Sequence, residues 1–111
     1  MIEMELNHEQ RRAILAMCCM VARADGAVSP SEYESLLDLL SRLAQGSVGF
    51  SELEEWMHQG PPELSIRMPE ESIRLFLREA LALARSDGKL VDEEMSTIRG
   101  LVERYFEAPK G

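Results

Sequence analysis

Ala13-Ile14-Leu15-Ala16-Met17-Cys18-Cys19-Met20-Val21-Ala22-Arg23-Ala24-Asp25-Gly26-Ala27-Val28-Ser29-Pro30-Ser31-Glu32 decides the fold. From Ala13 to Ala22 it is apolar all round, whereas a surface helix carries an apolar stripe on one side only. The run therefore predicts a helix enclosed on most sides by other helices. A tight acidic turn comes next. Gly26 tolerates the left-handed conformation common at helix C-termini. Ser29, Pro30 and Glu32 then supply a cap, a first-position proline and the third-position acid of a capping box.

A second copy of the turn stands 62 positions later, in Ala84-Arg85-Ser86-Asp87-Gly88-Lys89-Leu90-Val91-Asp92-Glu93-Glu94. Ala22, Arg23, Asp25, Gly26, Glu32 and Leu39 match Ala84, Arg85, Asp87, Gly88, Glu94 and Leu101, and Val28 and Leu36 match Leu90 and Ile98 in apolar class. The chain reads as an all-α helical bundle of two pseudo-repeated helix-turn-helix units. The halves span about 8–44 and 69–106, with a short helix and connector at 50–68, inside a single domain over 1–111. Two such hairpins bury their stripes against each other in pseudo-twofold fashion.

Working outward, Asn7 and Gln10 form a capping box for the first helix, from about His8 to Ala24. The second helix carries Tyr33, Leu36, Leu37, Leu40 and Leu43 at helical spacing. After residues 45–49 a short helix is predicted from Ser51, capped with Glu54, showing Phe50, Leu53, Trp56 and Met57 on its apolar face. Gly60, Pro61 and Pro62 stop it. Leu64, Ile66 and Met68 alternate with Ser65 and Arg67, as in an extended connector laid on the bundle. Pro69, Glu70 and Glu71 restart helix, whose buried face is Ile73, Phe76, Leu77, Ala80, Leu81, Leu83 and Ala84. The last helix runs from about Asp92 to Phe106 and leaves a tail, Ala108 to Gly111.

Composition narrows the function. With 111 residues, 45% hydrophobic but only 5% aromatic, the core must rest on aliphatic and Met side chains, which suits helices. Twelve Lys and Arg against 20 Asp and Glu leave a net charge of -8, which repels nucleic acid and favours basic proteins or hard cations. Cys18 and Cys19 are adjacent in the apolar helix, where side chains diverge by about 100°, so they read as buried thiols of a reducing compartment. The opening residues lack the basic region of a signal peptide, and the apolar run is about half a membrane span. A cytoplasmic location is the expectation.

Two Asp-Gly turns, each followed by a Glu seven positions after the Asp, in an all-helical chain resemble the TerB family of tellurite-resistance-associated proteins. That family is similar in fold to a domain of some membrane-anchored J-domain co-chaperones. The resemblance covers roughly residues 8–106. It implies a helical domain of seven or so helices with clustered acids, proposed to bind divalent metal or to dock partners in stress-response complexes, and no established catalytic activity. The chain departs from the pattern at Val91, which stands where the first copy has Ser29, and it carries no lysine-rich segment.

Asp25, Glu32, Asp87 and Glu94 are the candidate metal ligands, because a hard cation such as Ca²⁺ or Mg²⁺ takes carboxylate oxygens. The same residues also read as turn and cap carboxylates with no metal at all. The alternating acids of an EF-hand are absent from both turns. Trp56 and Met57 are the candidate partner-binding pair, and His8 and His58 read as surface residues. Zinc spacings, phosphate-binding glycine loops and nucleophile elbows are missing, so the expectation is no enzyme. The first reading is a protein-interaction module that can respond to divalent metal. The rivals are a pure adaptor, whose acids are only caps, and a Mg²⁺-dependent enzyme using paired carboxylates.

Overall fold

A computed structural model describes residues 6–24, 26–86 and 92–106. Asp25, Asp87 to Val91, the residues before Leu6 and the tail after Phe106 lie outside the described residues.

Helix α1 (His8–Ala22) starts at the predicted box: Asn7 Oδ1 accepts from the Gln10 amide at 2.8 Å, and Gln10 Oε1 accepts from the Asn7 amide at 2.9 Å. Its apolar run is buried from Ala13 to Cys19 and again at Val21 and Ala22. Around it stand α2 (Pro30–Leu39), α3 (Phe50–Gln59), α4 (Ile73–Ala84) and α5 (Asp92–Tyr105). The central helix packs most extensively on α4 and touches α2, α3 and α5, while α4 packs on α2 and α5. The described residues are thus mostly helical, with isolated bridges in place of strands. The radius of gyration, 13.1 Å, is that of one compact unit of this length. Among the described residues no helix is long and apolar enough to cross a membrane.

Three boundaries differ from the sequence reading. The second helix does not run on as α-helix to Leu43: Leu40–Ala44 forms a π-helical segment. Leu43 is next to the end of that segment, where helical carbonyls lack intrahelical partners, and Arg11 Nη1 from α1 donates to Leu43 O at 3.0 Å. Helix α3 begins at Phe50 behind Gly49, so Ser51 does not cap it. Glu54, its expected box partner, instead accepts from the Tyr33 hydroxyl at 3.1 Å. Before α4, Glu70–Ser72 makes one 3-10 turn.

Tertiary polar contacts pin the short α3 to the core. Arg12 Nη1 and Nη2 donate to Glu52 Oε1 and Oε2 at 2.9 and 2.7 Å, Nη1 also donates to Ser47 O at 2.8 Å, and the guanidinium lies 5.5 Å from the Trp56 ring centroid. Arg12→Lys keeps the charge but loses the two-pronged geometry. It is expected to lower stability by about 1–2 kcal/mol, read as a shift of the urea midpoint at unchanged slope. Gly60, at φ 95°, ends α3 where a Cβ would sit 2.6 Å from Arg23 Nη1, so the site admits no side chain without a shift.

The connector alternates as predicted: Leu64 and Ile66 are half-buried, Ser65 and Arg67 exposed, and Met68 buried. The Met68 amide donates to Tyr105 O at 2.6 Å. Phe76 and Phe106 stack beside it with centroids 5.4 Å apart.

The ends of α1 and α4 close alike. Arg23 (φ -89°, ψ 0°) and Arg85 (φ -91°, ψ 0°) donate to Cys19 O and Leu81 O at 3.1 and 3.0 Å. The following amides, of Ala24 and Ser86, donate to Val21 O and Leu83 O, both at 3.1 Å.

Candidate functional site

The first turn of α2 forms as its sequence dictates. The Glu32 amide donates to Ser29 Oγ at 3.2 Å, and the Ser29 amide donates to Glu32 Oε1 at 2.9 Å. A capping-box carboxylate normally lies in water. Glu32 is only 1% exposed, and its other oxygen, Oε2, is buried and receives no hydrogen bond from an amide, hydroxyl or cationic group among the described residues.

A second helix start lies beside it. Glu94, in the first turn of α5, is 3% exposed and is the carboxyl neighbour of Glu32. Burial is the largest influence on Glu32 and raises its pKa. The Ser29 backbone and hydroxyl pull it down, and Glu94 pushes it up both by hydrogen bonding and by charge. The outcome is a carboxyl pushed up to about 7 from an ordinary 4.5.

The structure therefore brings together two of the four candidate ligands, Glu32 and Glu94, and the other two, Asp25 and Asp87, lie outside the described residues. Two carboxylates out of water repel each other, so the pair favours holding a proton or a cation between them.

The fit to a hard cation is partial. Glu32 offers a buried oxygen that takes no hydrogen bond from an amide or hydroxyl among the described residues, and Glu94 a second carboxyl. Calcium takes about six to eight oxygens, and no group of three or more His, Cys, Asp or Glu able to hold a metal ion occurs among the described residues.

No protein-family model, curated protein or solved structure matches this chain.

The remaining sequence candidates take structural positions. Trp56 and Met57 face inward, 5% and 8% exposed, and the exposed large apolar side chain of α3 is Phe50, at 52%. Burial raises the Cys18 and Cys19 thiols well above the ordinary range, the latter to about 11, which keeps both unreactive. His8 is exposed, with Nδ1 3.0 Å from Ser47 Oγ, and His58 is exposed near the end of α3.

Sequence reasoning missed Glu79. It is a buried acid within the apolar face of α4, between Phe76 and Leu83, and hydrogen bonding to Arg42 holds its carboxyl below the usual range. The signal was present: a carboxylate inside an apolar stripe needs a cation, and the π-helical segment supplies Arg42.

Proposed function

We propose that this chain is a non-enzymatic, TerB-like helical module of the cytoplasm that acts through protein interaction and responds to divalent cations at Glu32 and Glu94. Its setting is a stress-response or envelope-associated complex. The net charge of -8 speaks for a basic protein partner and against nucleic acid. The observation that carries the reading is the meeting of two glutamates 62 positions apart, each in the first turn of a helix, in one buried pair.

The reading includes an internal duplication, with α1 and α2 as one half and α4 and α5 as the other. The matching closures at Arg23 and Arg85 support it, because the bonds from the Arg23 and Ala24 amides recur 62 positions on at Arg85 and Ser86. A bound cation would neutralise the carboxylate pair and tighten the junction between the halves. Asp25 and Asp87 complete the proposed ligand set.

A pure adaptor, with acids serving as caps only, is the second reading. It is favoured by the complete capping box at Ser29 and Glu32. A Mg²⁺-dependent enzyme has less behind it: neither glutamate lines the groove of about 460 Å³ between α2 and α4.

Calcium and magnesium titrations followed by thermal melting separate these readings. An ion at about a hundred times its dissociation constant stabilises the fold by about 2.7 kcal/mol. The melting temperature is expected to rise at pH 8, to rise less at pH 5.5 where protons compete, and not to rise in Glu32→Gln. No rise with either ion leaves the adaptor.

A further inference from the structure

The open groove between α2 and α4, about 460 Å³ in volume, lies on a floor formed by Leu39 and Leu83. Three carboxylates border it: Glu34 and Asp38 from α2, and Glu79 from α4. It already holds one guanidinium. Arg42 Nε donates to Asp38 Oδ2 at 2.6 Å, and its Nη1 and Nη2 donate to Glu79 at 3.3 and 3.0 Å. Arg42 is the one cation among the described residues lining the groove, and Arg78 from outside it also pairs with Glu79 at 3.3 Å, so of the three acids Glu34 is left without a cation and Asp38 shares Arg42 with Glu79. Glu34 is exposed and has neither an ion pair nor a hydrogen bond among the described residues.

Spacing selects the shape of the occupant. Glu34 and Asp38 are one helical turn apart, about 5–6 Å between their Cβ atoms. Alternate side chains of an extended peptide recur on one face at about 6.5 Å, close enough for flexible cations to meet both acids. The hydroxyls of Ser35 and Ser86 stand beside the acids as partners for a peptide backbone. A second copy of this chain, at a net charge of -8, is repelled from such a surface, whereas a basic segment is drawn to it.

We propose that this groove docks an extended segment of a partner protein bearing Arg or Lys at alternate positions, with Glu34 and Asp38 taking the cations. The proposal rests on the reading of the chain as an interaction module, and is independent of any cation at Glu32 and Glu94.

The test uses the full chain and a short fluorescent peptide of alternating Arg and Ala, with a Glu and Ala peptide as counterpart. Anisotropy at physiological ionic strength is expected to show binding of the basic peptide alone. Amide spectra are expected to shift at Ser35, Ala82 and Ser86. The variant E34K/D38N changes only exposed side chains and is expected to weaken binding about tenfold, the scale of two lost surface ion pairs. E70K/E71Q makes the same change in net charge at the other end of the α4 region, and is expected to leave binding within about twofold of wild type, since the loss of a remote charge is largely screened.

Equal weakening by both variants would reduce the interaction to bulk charge and overturn the proposal, as would absence of binding or shifts located elsewhere. A calcium or magnesium melting shift that persists while the peptide fails to bind overturns the groove alone and leaves the glutamate pair standing.

Discussion

Glu32→Gln is expected to be more stable than the wild type above pH 7, by on the order of 1–3 kcal/mol, when a chelator keeps divalent ions away. The magnitude is that of relieving one buried, unsatisfied polar group. The glutamine carbonyl can still accept from the Ser29 amide, and the new NH₂ can donate to the Glu94 carboxylate. Near pH 5 the wild-type carboxyl is itself neutral, and the two proteins are expected to melt together.

The sign follows from linkage. Glu32 has its pKa raised from 4.5 to about 7 on folding, so between those values the native state binds more protons than the unfolded chain. Its contribution is complete below about 4.5 and is lost as the pH rises through about 7. Glu52 and Glu79 work in the opposite sense. Hydrogen bonds from Arg12 and Arg42 respectively hold their carboxyls below 4.5, so their contributions are present above that value and are lost as the pH falls through their lower folded pKa values. Wild-type stability should therefore pass through a maximum on the acidic side of neutrality, and Glu32→Gln should remove the decline on its alkaline flank. Melts across pH 3–9 read both limbs.

Phe76→Ala is expected to cost about 3–5 kcal/mol, as large-to-small changes of a buried aromatic do. Phe76 is fully buried, and its ring packs on Phe106 immediately beyond α5. The same neighbourhood contains the bridge between Met68 and Phe106 that ties the connector to the end of α5. Removing the ring opens a cavity where three segments meet, so the loss should appear as a lower midpoint in guanidinium unfolding. Phe76→Leu fills part of that space and should recover at least half of the loss.

The legible parts of this chain are those governed by neighbours three or four residues away. The boxes at Asn7 with Gln10 and Ser29 with Glu32 form as their spacing dictates. The enclosed position of α1 follows from a run with no polar side, and the connector from its alternation. What escaped depends on contacts distant in sequence. The π-helical segment is held by Arg11, 32 residues before Leu43, and Glu54 leaves its expected box for Tyr33, 21 residues away.

The candidate site divides along the same line. Repetition of the motif singled out Glu32 and Glu94, but capping rules place such carboxylates in solvent. Their pairing depends on two residues 62 positions apart coming together in space, which no local rule contains. Trp56 shows the converse: its size nominated it for binding, whereas Arg12 and the core enclose it.

A carboxyl carbon NMR titration of Glu32, in the wild type and in Glu94→Gln, addresses the pairing itself. Glu32 is expected to titrate near 7 in the wild type, and to move down in Glu94→Gln while staying above 4.5, because its burial remains. A Glu32 carboxyl that titrates near 4.5 in the wild type and is indifferent to Glu94→Gln would mean that the two side chains are not neighbours.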